Sequence, residues 1–324
     1  MKLQIDVFLG YSYSMQREKE GTSISIGSCV LFGLRSDKRY FKMDVQVDHV
    51  HITQPSYFYV TDFEKNFNYK DGHKWMKDNY IIPFYCCALY LVLIFGGRYY
   101  MSNRPKFELR GLLAIWSGSL AILSIICFVR TLPEVYNILS NHGFYHSICT
   151  ASTAYDPVNC LWLWLFCLLK VPELGDTFFI VLRKQPLIFL HWYHHVTVLL
   201  YTWYSCVEIS GYSRWFVVVN SFIHSWMYSY YALKAMGFKL PKWLAMTITT
   251  LQIAQMFWGI LVTVSAYYYA YIAQVQCNVP VKNLTFTTLM YLSYLILFIN
   301  FFKQTYFSNK RANKVGRKSR TKTE

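Results

Sequence analysis

Charge is scarce in this chain, and acidic charge scarcer still. Only 15% of its 324 residues are Asp, Glu, Lys or Arg, and 17 acidic side chains stand against 32 basic ones, a net charge of +15. That is too little polar material for an ordinary soluble domain. Paired cysteine motifs are missing as well: nine cysteines occur without a CxxC or a zinc-ligand spacing. No cationic start followed by an apolar core and a cleavage site marks a signal peptide, so the helices are expected to do their own targeting. No alternation of basic and aromatic residues suggests nucleic acid.

What is abundant is apolar side chain, 54% of the residues, with aromatics at 19%. The expected fold class is therefore all-α: a polytopic membrane protein, a bundle of transmembrane helices. Seven apolar stretches, 81–97, 112–129, 157–182, 187–206, 215–233, 243–272 and 286–307, are each near the roughly 20 residues that cross a bilayer. The third and sixth are long enough to tilt, to kink at Pro172 or to extend beyond the membrane. Cations cluster in alternate loops: Arg98, Arg104, Lys106 and Arg110; Arg183 and Lys184; Lys234, Lys239 and Lys242; then the tail. Opposite loops hold few, chiefly Arg130, Arg214 and Lys282. Because Lys and Arg stay on the cytoplasmic side, the C-terminus is expected in the cytosol and the N-terminus across the membrane. The same cationic loop ends suit a phosphate-bearing ligand as well as anionic lipid.

Three domains are expected: a polar N-terminal segment, 1–80, with Met43 a possible alternative start; a seven-helix region, 81–307; and a basic cytosolic tail, 308–324. In that tail Arg320 and Lys322 resemble a dibasic retrieval signal. Most cysteines read as small apolar filler, but Cys149 and Cys277 fall in loops on the non-cytosolic face, where an oxidising lumen would allow them to pair. Asn283-Leu-Thr285 is a glycosylation sequon on that face, close to the seventh stretch.

Polar groups interrupt four of the apolar stretches at helical spacing. The fourth carries His191, His194 and His195, three imidazoles on one helical face. Such groups are costly in hydrocarbon and mark function by default. The third carries Lys170, Glu173, Asp176 and Thr177, the fifth Asn220, His224, Tyr228 and Tyr231, the sixth Thr249, Gln252 and Gln255. Counted at the helical rise from each cytosolic end, His194, His224, Gln252 and Glu173 all lie about 12–15 Å deep, which predicts one polar chamber in the cytosolic half of the membrane. A membrane di-iron site needs more histidines than can meet here, since His142 and His146 lie on the far face with His49, His51 and His73. A single zinc with an open position remains compatible with the spacing, and so does acyl transfer, in which an imidazole attacks a thioester and leaves an electrophilic acyl adduct.

The four boxes also carry a resemblance. Lys170-Val-Pro-Glu173-Leu-Gly-Asp176-Thr177, His191-Trp-Tyr-His194-His195, His224-Ser-Trp-Met227-Tyr228-Ser-Tyr230-Tyr231 and Thr249-Thr-Leu-Gln252-Ile-Ala-Gln255 resemble, in order and spacing, the boxes of the very-long-chain fatty acid elongases, the ELO family. The resemblance runs from about residue 63 to the C-terminus. It implies a seven-helix enzyme of the endoplasmic reticulum that condenses an acyl-CoA with malonyl-CoA to 3-oxoacyl-CoA, CoA and carbon dioxide. It implies no metal and no bound cofactor, CoA thioesters being substrates. Membrane lipid and the other enzymes of the cycle, a 3-oxoacyl-CoA reductase, a dehydratase and an enoyl reductase, would be its partners. The acyl chain would lie in a tunnel closed toward the lumen, with CoA entering past Arg183, Lys184, Lys234 and Lys242.

On that reading His194 is the nucleophile of a ping-pong reaction. His224, with Asn220, polarises the malonyl thioester or manages protons, while His191 and His195 orient His194. Lys170, Glu173, Asp176, Tyr228, Tyr231, Gln252 and Gln255 complete the polar network. Pro186 stands where elongases of polyunsaturated chains usually have Gln, which resembles the branch acting on saturated and monounsaturated chains around palmitoyl. Leu200, Tyr204, Phe216 and Val219 are the side chains expected to set tunnel depth. The alternatives are a di-iron desaturase or hydroxylase, which would carry iron, and a seven-helix receptor or transporter, which would bind its ligand reversibly.

Overall fold

The computed structural model describes residues 44–47, 50–208, 210–277 and 279–308. Met43, the Arg320 and Lys322 signal and the tail lie outside them. A two-stranded antiparallel hairpin, β1 (Asp44–Val47) and β2 (Val50–Thr53), opens the described chain and is its one departure from all-helical structure. Two short helices follow, α1 (Asp62–Lys65) and α2 (Tyr69–Asp78). Then come α3 (Ile82–Met101), α4 (Arg110–Cys149), a 3-10 turn at Ser152–Tyr155, α5 (Pro157–Glu173) and α6 (Asp176–Leu182). The remainder is α7 (Phe189–Val207), α8 (Ser213–Ala235), α9 (Lys242–Tyr267) with a π-helical extension, and α10 (Val281–Phe302) with another.

All seven apolar stretches fold as helix, but four helical segments, Ile82–Met101, Arg110–Cys149, Lys242–Ile272 and Val281–Phe307, are long and apolar enough by themselves to cross a membrane. The others, α5 with α6, α7 and α8, carry three of the four polar boxes, and the fourth lies on α9. The third stretch is two helices rather than one. Pro172 has no N–H and cannot continue the ladder, and Leu174 and Gly175 form a tight turn in which the Gly175 N–H donates to the Pro172 carbonyl at 2.8 Å. Gly175 has no substitute there: a Cβ would stand 2.4 Å from the Trp116 ring. The second stretch runs to 40 residues and bends at Gly143, whose φ of +82° suits glycine.

In the bundle α4 lies along α8, α5 against α7, and α9 against α10. Arg214, read from sequence as a loop cation, is buried. It forms an ion pair with Glu134 and donates to Ser152 Oγ and the Thr150 and Gly211 carbonyls, tying α4 to the start of α8. Cys149 and Cys277 are joined by a disulfide. Asn283 is fully buried, its amide accepting from Tyr201 and donating to Ser205, so the sequon offers no site for a glycan in the folded chain.

The described part of the polar N-terminal segment is not separate from the bundle. Met76 is buried among residues of α3, α5 and α7. Glu64 accepts from Arg130 Nε at 2.7 Å and Trp162 Nε1 at 2.9 Å, and closes a capping box with Thr61. Burial opposes the charge on Glu64, but the bonds from Trp162, the Thr61 backbone and Arg130 outweigh it and hold the carboxyl at about 2. A carboxylate held below its unfolded pKa of about 4.3 contributes stability that is complete above that value and lost as pH falls toward the folded one. Limited proteolysis should therefore begin to cut residues before α2 as pH drops from about 5 to about 2. Glu64→Gln should make the cutting equally fast across that range; a steep pH response surviving in the variant would assign the effect elsewhere.

Candidate active site

The four polar boxes, carried by the third to sixth apolar stretches, meet around a cavity of about 490 Å³. Among its lining residues are Asp176, His191, His194, His195, Asn220, His224, Tyr228, Tyr231, Gln252 and Gln255. Lys170 and Glu173 sit behind this lining. Lys170 Nζ donates to Glu173 Oε1 at 2.7 Å and to Asn220 Oδ1 at 3.2 Å. The Glu173 oxygen is also 3.7 Å from His224 Nδ1. One buried ion pair thus orients Asn220 and His224 of α8, and leaves the opposite nitrogen of His224 for the cavity.

The three imidazoles of α7 are not equivalent. His191 Nε2 shares a proton with Thr177 Oγ1 at 2.9 Å, and Thr177 in turn bonds Tyr90 at 2.8 Å. The His195 ring is buried and packs on both neighbours, with centroids 4.6 Å from His191 and 5.5 Å from His194. His194 is only partly buried, lies against the Tyr294 ring at 5.0 Å, and among the described residues its ring nitrogens make no hydrogen bond. His195 Nδ1 has no partner either, but its ring is buried, so of these two imidazoles His194 is the one more open to the cavity.

The break at Gly175 shapes a second anchor. Asp176, the first residue of α6, accepts from Trp116 Nε1 and from Tyr228 Oη, both at 2.8 Å, which joins α4, α6 and α8 at one carboxylate. Sequence spacing missed Trp116, because an isolated tryptophan in an apolar helix carries no pattern. Gln252 Nε2 reaches the Met227 sulfur at 3.3 Å. At the mouth, Arg183 and Lys234 line the cavity with Gln185, but Lys184 and Lys242 do not. Lys184 adopts a φ of +53° and caps the carbonyls of Ser102 and Arg104, at 3.0 and 2.9 Å, after α3. Lys242 opens α9.

Of the four side chains expected to set tunnel depth, three belong elsewhere. Leu200 packs in the cluster around Met76, Val219 in that around Tyr212, and Tyr204 bonds Glu208 and packs on Phe286. His142 and His146 meet edge to face near the end of α4, and no three His, Cys, Asp or Glu side chains among the described residues gather as a metal site would require.

The sequence model of the ELO, or GNS1/SUR4, family matches residues 75–314. The chain belongs to this family. It is 48% identical over 256 residues to very long chain fatty acid elongase 6 of Drosophila melanogaster, which covers 78% of this chain and 81% of that protein. The elongase 6 of Gallus gallus is 46% identical over 255 residues, 78% of this chain and 96% of its own length. That of Homo sapiens is 45% identical over 250 residues, 77% and 94% respectively. The four polar boxes, 170–255, lie inside the family match, whereas α1 and most of α2 precede it.

Proposed function

We propose that this chain acts in fatty acid elongation as the condensing enzyme, joining a saturated or monounsaturated long-chain acyl-CoA to malonyl-CoA. The observation that carries the reading is the unbonded His194 ring, set in a polar cavity opposite His224. One ring nitrogen of His194 attacks the thioester carbonyl and the carbon–sulfur bond breaks. CoA leaves as its thiol, with the proton released from the other ring nitrogen, and a neutral acyl-imidazole remains. Malonyl-CoA then loses carbon dioxide, and the electron pair of that bond becomes an enolate that attacks the acyl carbonyl. The products are 3-oxoacyl-CoA and an imidazole that regains a proton from solvent.

His224 and Asn220 supply the polar groups for the malonyl thioester oxygen, where charge develops; donors aimed at such an oxyanion are usually the largest catalytic contribution. Arg183 and Lys234 suit the phosphates of CoA at the cavity mouth. On this reading α5 with α6, α7 and α8 complete a seven-span bundle in the endoplasmic reticulum, with the mouth toward the cytosol. The products would pass to the reductases and dehydratase of the cycle.

The test is mass spectrometry of purified protein incubated with palmitoyl-CoA alone. An acyl mass on the peptide holding His194, with release of one CoA per site, is expected, followed by discharge to 3-oxoacyl-CoA once malonyl-CoA is added. Condensation without any adduct under acid trapping would replace the two-step path by direct attack in a ternary complex. Turnover that EDTA or phenanthroline abolished would refute a metal-free reaction.

A further inference from the structure

A second cavity, of about 110 Å³, lies between the N-terminal segment and the bundle. It shares no lining residue with the histidine cavity, yet lies along the same helices. On α7, His194 and His195 line the first and Tyr201 and Thr202, seven residues on, the second; on α8, Asn220 lines the first and Phe216 and Val217 the second. Seven residues of α-helix advance about 10 Å, and the twelve from His194 to Cys206 about 18 Å. A carbon pair of an extended chain advances about 2.5 Å, less than two residues of helix rise, so a sixteen-carbon chain held by its carbonyl at His194 ends about 19 Å away, level with Cys206.

At that level the walls come from α5, α7 and α8, and one side is closed by residues that precede the bundle. Phe67, Tyr69 and His73 line the small cavity together with Cys206. They are held firmly. His73 Nε2 is 2.7 Å from the Val207 carbonyl, and Trp203 Nε1 donates to the Met76 carbonyl at 3.2 Å, pinning α2 to the end of α7. Gly72 lets the Phe67 ring lie close: a Cβ at that position would stand 2.9 Å from Phe67 Cζ.

We propose that Phe67 and His73, on the N-terminal segment, form the floor that measures acyl chain length, and that the small cavity seats the methyl end. The proposal rests on the elongase reading above, with the acyl carbonyl fixed at His194. It assigns specificity to residues that precede residue 75, where the family match begins. The chemistry is then built by the shared boxes, and the stopping point by the strap laid across the far end of the bundle.

The experiment gives the full-length protein equimolar myristoyl-, palmitoyl- and stearoyl-CoA with malonyl-CoA and reads product lengths by mass spectrometry. Phe67→Ala should raise the stearoyl to palmitoyl rate ratio about tenfold, at the low end of what one misfitting methylene costs in an apolar pocket. Thr202→Phe, which fills the cavity from the opposite wall, should lower the palmitoyl to myristoyl ratio by a comparable factor. A variant that merely loosened the fold would slow all three substrates alike. Wild-type ratios in an active Thr202→Phe enzyme would overturn the floor, whatever the fate of Phe67→Ala. A wild-type chain that elongates none of the three would instead remove the elongase reading itself.

Discussion

Replacement of His194 by Ala is expected to abolish condensation, with a loss on the order of 10⁴-fold or more, as for removal of a covalent nucleophile acting with its partners. The size follows from geometry rather than from the motif. His191 Nε2 is engaged with Thr177, and the His195 ring, although its Nδ1 has no partner, is buried, so neither is as open to the cavity as His194. Because the His194 ring makes no hydrogen bond among the described residues, its deletion leaves no partner stranded, and the variant should elute and melt like the parent protein. Acyl labelling should vanish together with turnover. An alanine variant that still formed the acyl adduct would move the nucleophile to another side chain.

The second large effect belongs to Lys170→Met. Lys170 and Glu173 are almost wholly removed from solvent, their side chains 2% and 6% exposed. Removing the cation leaves a buried carboxylate uncompensated, a change that costs about 3–5 kcal/mol. The single variant should be poorly expressed and melt well below the parent. Lys170→Met combined with Glu173→Leu removes both charges and should recover most of the stability, since replacing a whole buried pair with apolar side chains is often neutral. It should not recover activity, because Asn220 and His224 both lose the partner that orients them. Thermal melts and turnover of the two variants test this; a double variant as unstable as the single one would show that the pair matters for packing rather than for charge.

Much of the site was legible because hydrocarbon is an unforgiving solvent for polar groups. His194, His224, Glu173 and Gln252 announce themselves by being where an apolar residue would cost nothing, and helical rise alone brings them to one depth. What stayed hidden were partners that carry no period. Trp116 reads as one more aromatic until Gly175 brings Asp176 beneath it. Arg214 reads as a loop charge until Glu134, eighty residues earlier, meets it. Asn283 fits a sequon as well buried as exposed, because three residues of sequence carry no information on depth. Tyr204 and Leu200 have the right height for a tunnel wall but point to other neighbours, since rise along a helix fixes level and not azimuth. The N-terminal segment looked like a polar appendage because its contacts to α5 and α7 run through single side chains, Glu64, His73 and Met76, rather than through a repeating apolar face.

The bond between Cys149 and Cys277 has a consequence in time. The two thiols are 128 residues apart, and everything from α5 to α9 is made between them. A ribosome that has finished α4 has exposed the first thiol but has yet to translate the second, so the crosslink closes only after the histidine helix and its neighbours exist. Shift in a non-reducing gel would therefore report a chain made past α9, with α10 still to follow. A product truncated anywhere between α5 and α9 would keep Cys149 free and open to mispairing, which makes this one covalent link a record that all four polar boxes have been made.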